Sequence, residues 1–208
     1  MKKQFLVFAI LVLLPLLAWS KGTLDVSFGY TMPGNHQTTR EYEGTTYENC
    51  FDVTGSGCVS AEYVTDLKLV KGLIGGVGVQ YLFNHKVDMT EAHVEGDPEF
   101  SFLPIYLLGG YKYPLSETTS VRGLVNFGYD IFIANEDYKM GNDLKGGLYW
   151  GLGAGFEFIE RFIIDFQFNN YHGSEETIQN GGESSVMTVD ISQSCLILRL
   201  GIKLPKDW

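Results

Sequence analysis

Apolar and polar residues alternate with period two along much of this chain. That period sends successive side chains to opposite faces of a strand, so it predicts strands with two different surroundings. The first predicted strand is Thr23 to Met32, with Leu24, Val26, Phe28 and Tyr30 opposite Asp25, Ser27, Gly29 and Thr31. The second, Val59 to Leu67, sets Val59, Ala61 and Tyr63 against Ser60, Glu62 and Asp66. The third, Leu73 to Asn84, sets Val77, Val79, Tyr81 and Phe83 against Gly76, Gly78, Gln80 and Asn84. Ser101 to Pro114, Ser120 to Ala134 and Gly147 to Phe158 follow, then a strand from Arg161. The last strand puts Leu196, Leu198, Leu200, Ile202 and Leu204 opposite Arg199, Gly201 and Lys203. Val189 to Ser192 also alternates, in a different phase that a bulge near Ser194, or a separate loop strand, would reconcile with it.

No segment after the N-terminal region shows a helical period. The gaps alternate long and short. Pro33 to Cys58, His85 to Phe100, Asn135 to Lys145 and Gly173 to about Ser192 are the long ones. The architecture expected is an all-β, eight-stranded, antiparallel, up-and-down transmembrane barrel with long loops on one side. A lipocalin-like soluble barrel would bury the apolar set. Here that set is bulky and aromatic, and the opposite set is rich in Gly, Ser, Asn and Gln. An eight-stranded interior only just holds side chains, so the small and polar set fits inside and the bulky set faces lipid. Tyr30, Phe83, Tyr129, Trp150 and Phe168 then sort to the outer rim, and Tyr111, Tyr113, Phe158 and Phe162 to the inner.

The N-terminus adds export. Lys2 and Lys3 precede an apolar run from Phe5 to Leu17, and Ala18-Trp19-Ser20 offers a cleavage site near Ser20. Residues 1–20 read as a signal peptide and 21–208 as the barrel domain. The 25 glycines and 14% aromatic content suit a barrel. The net charge of −10 deepens when Lys2 and Lys3 leave, which argues against nucleic acid as a partner. Cys50 and Cys58 lie close together in a polar, Gly-rich stretch of an exported chain and are expected to form a disulfide. Cys195 sits in an apolar run and reads as a small hydrophobe.

Three stretches carry a resemblance to a family: LPIYLLGGYKY (Leu103 to Tyr113), GLGAGFEF (Gly151 to Phe158) and LRLGIKL (Leu198 to Leu204). The chain resembles the small outer-membrane β-barrels of OmpA/OmpW-like type. That resemblance implies residence in the bacterial outer membrane and contact with its lipid. It also implies handling by the barrel-assembly machinery, which reads a terminal aromatic residue; Trp208 is last here, after an interrupting Pro205-Lys206-Asp207.

The chemistry-bearing residues divide into three groups. Asp25, Glu62, Asp66, Lys112, Arg122, Asp130, Glu157, Asp165 and Lys203 are expected in the lumen. They must pair there, because an unpaired buried charge is costly. Glu62, Lys112, Arg122, Asp130, Glu157 and Asp165 are the expected network, read as a side-chain plug, with a narrow solute or ion path as the alternative. His172-Gly173-Ser174 is the second group. A His beside a Ser can activate it as a nucleophile. The lipid A deacylase barrels have a similar His-x-Ser, and by that resemblance Glu183 would orient His172. The other reading is a His and a Ser at an interface. The third group is the acidic loops, where carboxylates such as Glu41, Glu95 and Glu136 either face solvent or hold divalent cations, without an EF-hand spacing. No metal-ligand spacing, P-loop or nucleophile elbow occurs, and no cofactor is called for. The role expected is structural or surface-interacting, with an extracellular ligand unidentified.

Overall fold

The computed structural model describes residues 22–42, 45–67, 69–86, 97–139, 143–179 and 185–205. The predicted signal peptide, Glu183 and Trp208 lie outside the described residues. The strands are β1 (Gly22–Thr31), β2 (Gly34–Tyr42), β3 (Thr45–Val53), β4 (Ser56–Asp66), β5 (Leu73–Lys86), β6 (Glu99–Pro114), β7 (Thr119–Ala134), β8 (Asp143–Phe158), β9 (Phe162–Gln179) and β10 (Ser185–Pro205). One short helix, α1 (Glu136–Lys139), precedes β8. The sheet runs β1-β4-β5-β6-β7-β8-β9-β10 and closes where β10 pairs with β1. All of its ladders are antiparallel.

Ten strands make eight staves. β2 continues β1 alongside β10, so Thr31 faces Ile197 and Asn35 faces Ser194. The break falls at Met32-Pro33, where proline has no N–H for the ladder. β3 and β4 form the second stave, broken at Thr54-Gly55, because β3 pairs with β2 and β4 with β1. The predicted loop from Pro33 to Cys58 is therefore a β-hairpin that carries two staves beyond the barrel. The predicted loop from Gly173 is likewise strand, since β9 reaches Gln179 and β10 begins at Ser185. Alternation fades in these segments because, beyond the apolar band, both faces accept polar residues, while backbone pairing continues unchanged.

The outward set matches the expectation. Leu24, Phe28, Tyr30, Phe127, Phe162, Phe166, Leu196 and Leu200 are all exposed. So are the rim aromatics Phe83, Tyr129, Phe168, Tyr111 and Tyr113. This belt covers β1 up to Met32 and stops there; β2 turns Gln37 and Thr39 outward instead. A ring of exposed apolar side chains around a closed barrel, with every wall strand paired on both sides, meets the requirements of a lipid-spanning structure.

Two phase details differ from the sequence reading. β10 pairs with β9 from Ser185 to Ile202 without a register shift, so no bulge occurs at Ser194 in that ladder. Ile191, Gln193, Cys195, Ile197 and Arg199 form one continuous inward row. The interior simply changes from charged to apolar along it. In β5 a register shift between Leu82 and His85 turns both inward, which leaves Asn84 exposed rather than luminal. The short connections are tight. Between β8 and β9, Arg161 N–H donates to Phe158 O at 3.0 Å, and Ile159 and Glu160 both hold positive φ, 51° and 56°. That is the handedness of a primed hairpin turn.

Candidate functional site

Inward residues sort by height. At the short-turn end, Lys112 on β6 and Lys203 on β10 each donate to Glu157 on β8 at 2.7 Å. A small cavity at this mouth is lined by Asp66, Lys112, Arg122, Glu157 and Lys203. One step deeper, Arg122 on β7 grips Asp165 on β9 through Nε and Nη2, and its Nη1 donates to Asp25 on β1 at 2.9 Å. Arg199 on β10 donates to Asp165 at 3.0 Å, to Glu62 on β4 at 2.7 Å and to the Ser60 hydroxyl at 3.0 Å. The Tyr106 hydroxyl donates to Glu62 at 2.7 Å. Asp165 thus ties two guanidiniums together; its group spans β1, β4, β6, β7, β9 and β10, and the Glu157 group spans β6, β8 and β10.

Its charges balance. Lys112, Arg122, Arg199 and Lys203 meet Asp25, Glu62, Glu157 and Asp165. Planar guanidiniums make this feasible in so narrow a space, because each presents several donors in a fixed fork. Of the nine residues expected in the lumen, the structure places Asp25, Glu62, Lys112, Arg122, Glu157, Asp165 and Lys203 in two groups of ion pairs, one on Glu157 and one on Asp165. It corrects two expectations and adds one residue. Asp66 is exposed at the mouth and makes none of these ion pairs. Asp130 is fully buried and makes no ion pair among the described residues, so it stands apart from the network. Its neighbour across the ladder is Pro104, at the level where the interior turns aromatic. Arg199, central to the network, was visible only as a polar residue in phase with Lys203.

Above the charges lies a band of amides, Gln80, Asn126, Gln167 and Asn169, all buried. Above that is a cluster of aromatic rings. Tyr106 and Tyr149 lie 5.1 Å apart by ring centroids, Tyr149 and Tyr171 5.2 Å, and Tyr171 and Phe102 4.9 Å. Phe100 contacts His36 at 4.8 Å and His85 at 5.5 Å. Asn135 caps α1 by accepting the Tyr138 N–H at 2.9 Å. The helix thereby sets Tyr138 into the opening, where its hydroxyl lies 2.9 Å from His36 Nε2. His36 sits on β2, beyond the lipid-facing band, and burial pushes its pKa down to about 4. Neither buried histidine was singled out from the sequence; Phe100, two residues upstream of the inward Phe102, was the available signal.

Cys50 and Cys58 do not pair. Cys50 is exposed on β3, and Cys58 is buried on β4. Through the ladders, Cys50 faces Gln37 and Cys58 faces Gly29. Eight residues of collinear strand separate them, on the order of 25 Å, whereas a disulfide needs Cα atoms within about 7 Å. Reading the stretch as a compact loop caused the error. His172 and Ser174 do share the outward face of β9, opposite Ser192 and Asp190 on β10. No hydrogen bond joins them among the described residues.

No protein-family profile and no curated protein sequence matches the chain. Solved structures do. The outer membrane protein OprG from Pseudomonas aeruginosa is 16% identical over 89% of this chain and 97% of its own, with a TM-score of 0.52. The outer membrane protein AlkL, solved in DMPC bilayers, is 13% identical over 91% of this chain and 93% of its own, with a TM-score of 0.55. The chain shares the fold of these small outer-membrane barrels.

Proposed function

We propose that this chain is an exported outer-membrane barrel with a plugged lumen and a structural, surface-facing role. Under this reading the first 20 residues are a signal peptide cleaved near Ser20, the belt contacts outer-membrane lipid, and the assembly machinery inserts the barrel. The observation that carries the plug is the double grip of Arg122 and Arg199 on Asp165. An ion crossing here would have to displace a charge-balanced, wall-to-wall set of side chains, and then pass the Tyr106–Tyr149–Tyr171 stack. The part left free to act is outside: the β2–β3 hairpin and the ends of β8, β9 and β10 rise above the belt as a sheet. Single-channel recording from the folded protein in planar bilayers tests the plug. No stepwise conductance is expected, and reproducible ohmic steps would contradict it.

A further inference from the structure

The outer wall of that raised sheet carries the candidate site that the plug leaves unexplained. Four rows of outward residues can be followed across neighbouring strands. Leu152, Phe168 and Leu196 make the last apolar row. Trp150, Asn170, Ser194 and Asn35 make the next, where an interfacial tryptophan meets polar groups. Above them come His172, Ser192 and Gln37, then Lys145, Ser174, Asp190 and Thr39. Rows are two residues, or about 6.8 Å, apart. With strands tilted about 40°, the upper two rows stand about 5–10 Å above the tryptophan, at the depth of lipid headgroups.

This surface is concave. Gln37, Thr39, His172, Ser174, Asp190 and Ser192 line a hollow whose floor passes Gly146 and Gly147. The β8–β9 ladder shifts register there, between Gly146 and Tyr149. A side chain at Gly147 would bring its Cβ to 2.6 Å from the His172 carbonyl oxygen, so glycine keeps the hollow open and the strands close. In the row below the hollow, Asn170 is only 8% exposed; its amide donates to Ser194 at 2.6 Å, and its Oδ1 has no partner among the described residues. The lining is rich in hydroxyl, amide and imidazole groups, which match the hydroxyls and amides of a sugar. It is continuous below with the lipid-facing belt.

The geometry points to a binding site for the saccharide headgroup of an outer-leaflet glycolipid, whose acyl chains lie along Phe168 and Leu196. This rests on the outer-membrane reading. Thermal unfolding of the purified, folded protein in phosphatidylcholine vesicles, with and without lipopolysaccharide, tests it. Lipopolysaccharide raises the unfolding temperature of the wild type and of Asn49→Ala on β3. In Gln37→Ala/His172→Ala/Ser192→Ala, which removes three hydrogen-bonding side chains, affinity falls about tenfold or more and most of the shift disappears. An equal shift in wild type and triple variant overturns the site, as does no shift in the wild type. The same shift from phosphatidylglycerol, a phosphate lipid without sugar, overturns the saccharide assignment. Heat-dependent gel migration on the same samples separates the failures. A wild type that folds but ignores the glycolipid defeats the site alone; one that never folds into vesicles defeats the membrane reading with it.

Discussion

Replacing Arg199 with methionine removes the central cation of the lumen and leaves its backbone and most of its volume. Arg199 is completely buried and makes three hydrogen bonds of 3.0 Å or shorter, to Glu62, Ser60 and Asp165. Asp165 still has Arg122 on both carboxylate oxygens after the change. Glu62 has only the Tyr106 hydroxyl. The stranded charge therefore falls on Glu62, and removing one partner of a buried pair costs about 3–5 kcal/mol. Adding Glu62→Gln removes that charge, so the double variant recovers about 2 kcal/mol or more relative to the sum of the singles. Urea unfolding in lipid vesicles, followed by tryptophan fluorescence, measures all four corners of the cycle. A loss below about 1 kcal/mol for Arg199→Met, or strictly additive effects, would refute energetic coupling within the network.

Three further outcomes follow from named features. His36 keeps a low pKa when folded and an ordinary one, near 6.5, when unfolded; the unfolded chain therefore binds the extra proton first as pH falls. Stability from His36 is complete above about pH 7.5 and declines as pH falls through 6.5 toward 4, by about 2.5 kcal/mol at pH 4.5, and His36→Gln lacks this component in urea titrations at pH 7.5 and 4.5. Cys50 reacts with a membrane-impermeant maleimide in the folded protein while Cys58 and Cys195 react only after unfolding; a non-reducing gel shift caused by a Cys50–Cys58 bond would contradict the register of β2 and β3. Ile159→Asn with Glu160→Gly relieves a β-branched residue at positive φ and stabilises the β8–β9 turn by about 1 kcal/mol, read as a higher urea midpoint.

What could be read from the residues follows the solvent. Between the two aromatic rims the outside is lipid and the inside is crowded, so Phe127, Val125 and Ile131 against Arg122, Asn126 and Asp130 announce both strand and face. Past the outer rim the outside is water. Gln37 and Thr39 face out there while His36 faces in, and no hydrophobic alternation marks β2 and β3. The inward row of β10 changes from Arg199 to Ile197 and Ile191 for a related reason: the lumen is ionic below and aromatic above, so polarity alone suggests a bulge where none exists. Parity did identify seven of the eight ion-paired lumen charges, but pairing depends on which walls face one another at one height. Closure of the barrel sets that, and it separates Asp130 from Arg122 and brings Arg199 to Glu62.

The bulky apolar set faces outward around a closed barrel, where lipid would cover it. Membrane fractionation combined with heat-modifiable gel migration tests it most directly. Recovery in the outer-membrane fraction is expected, with a band that migrates differently before and after boiling. Recovery in the soluble fraction, with no change on boiling, would contradict it.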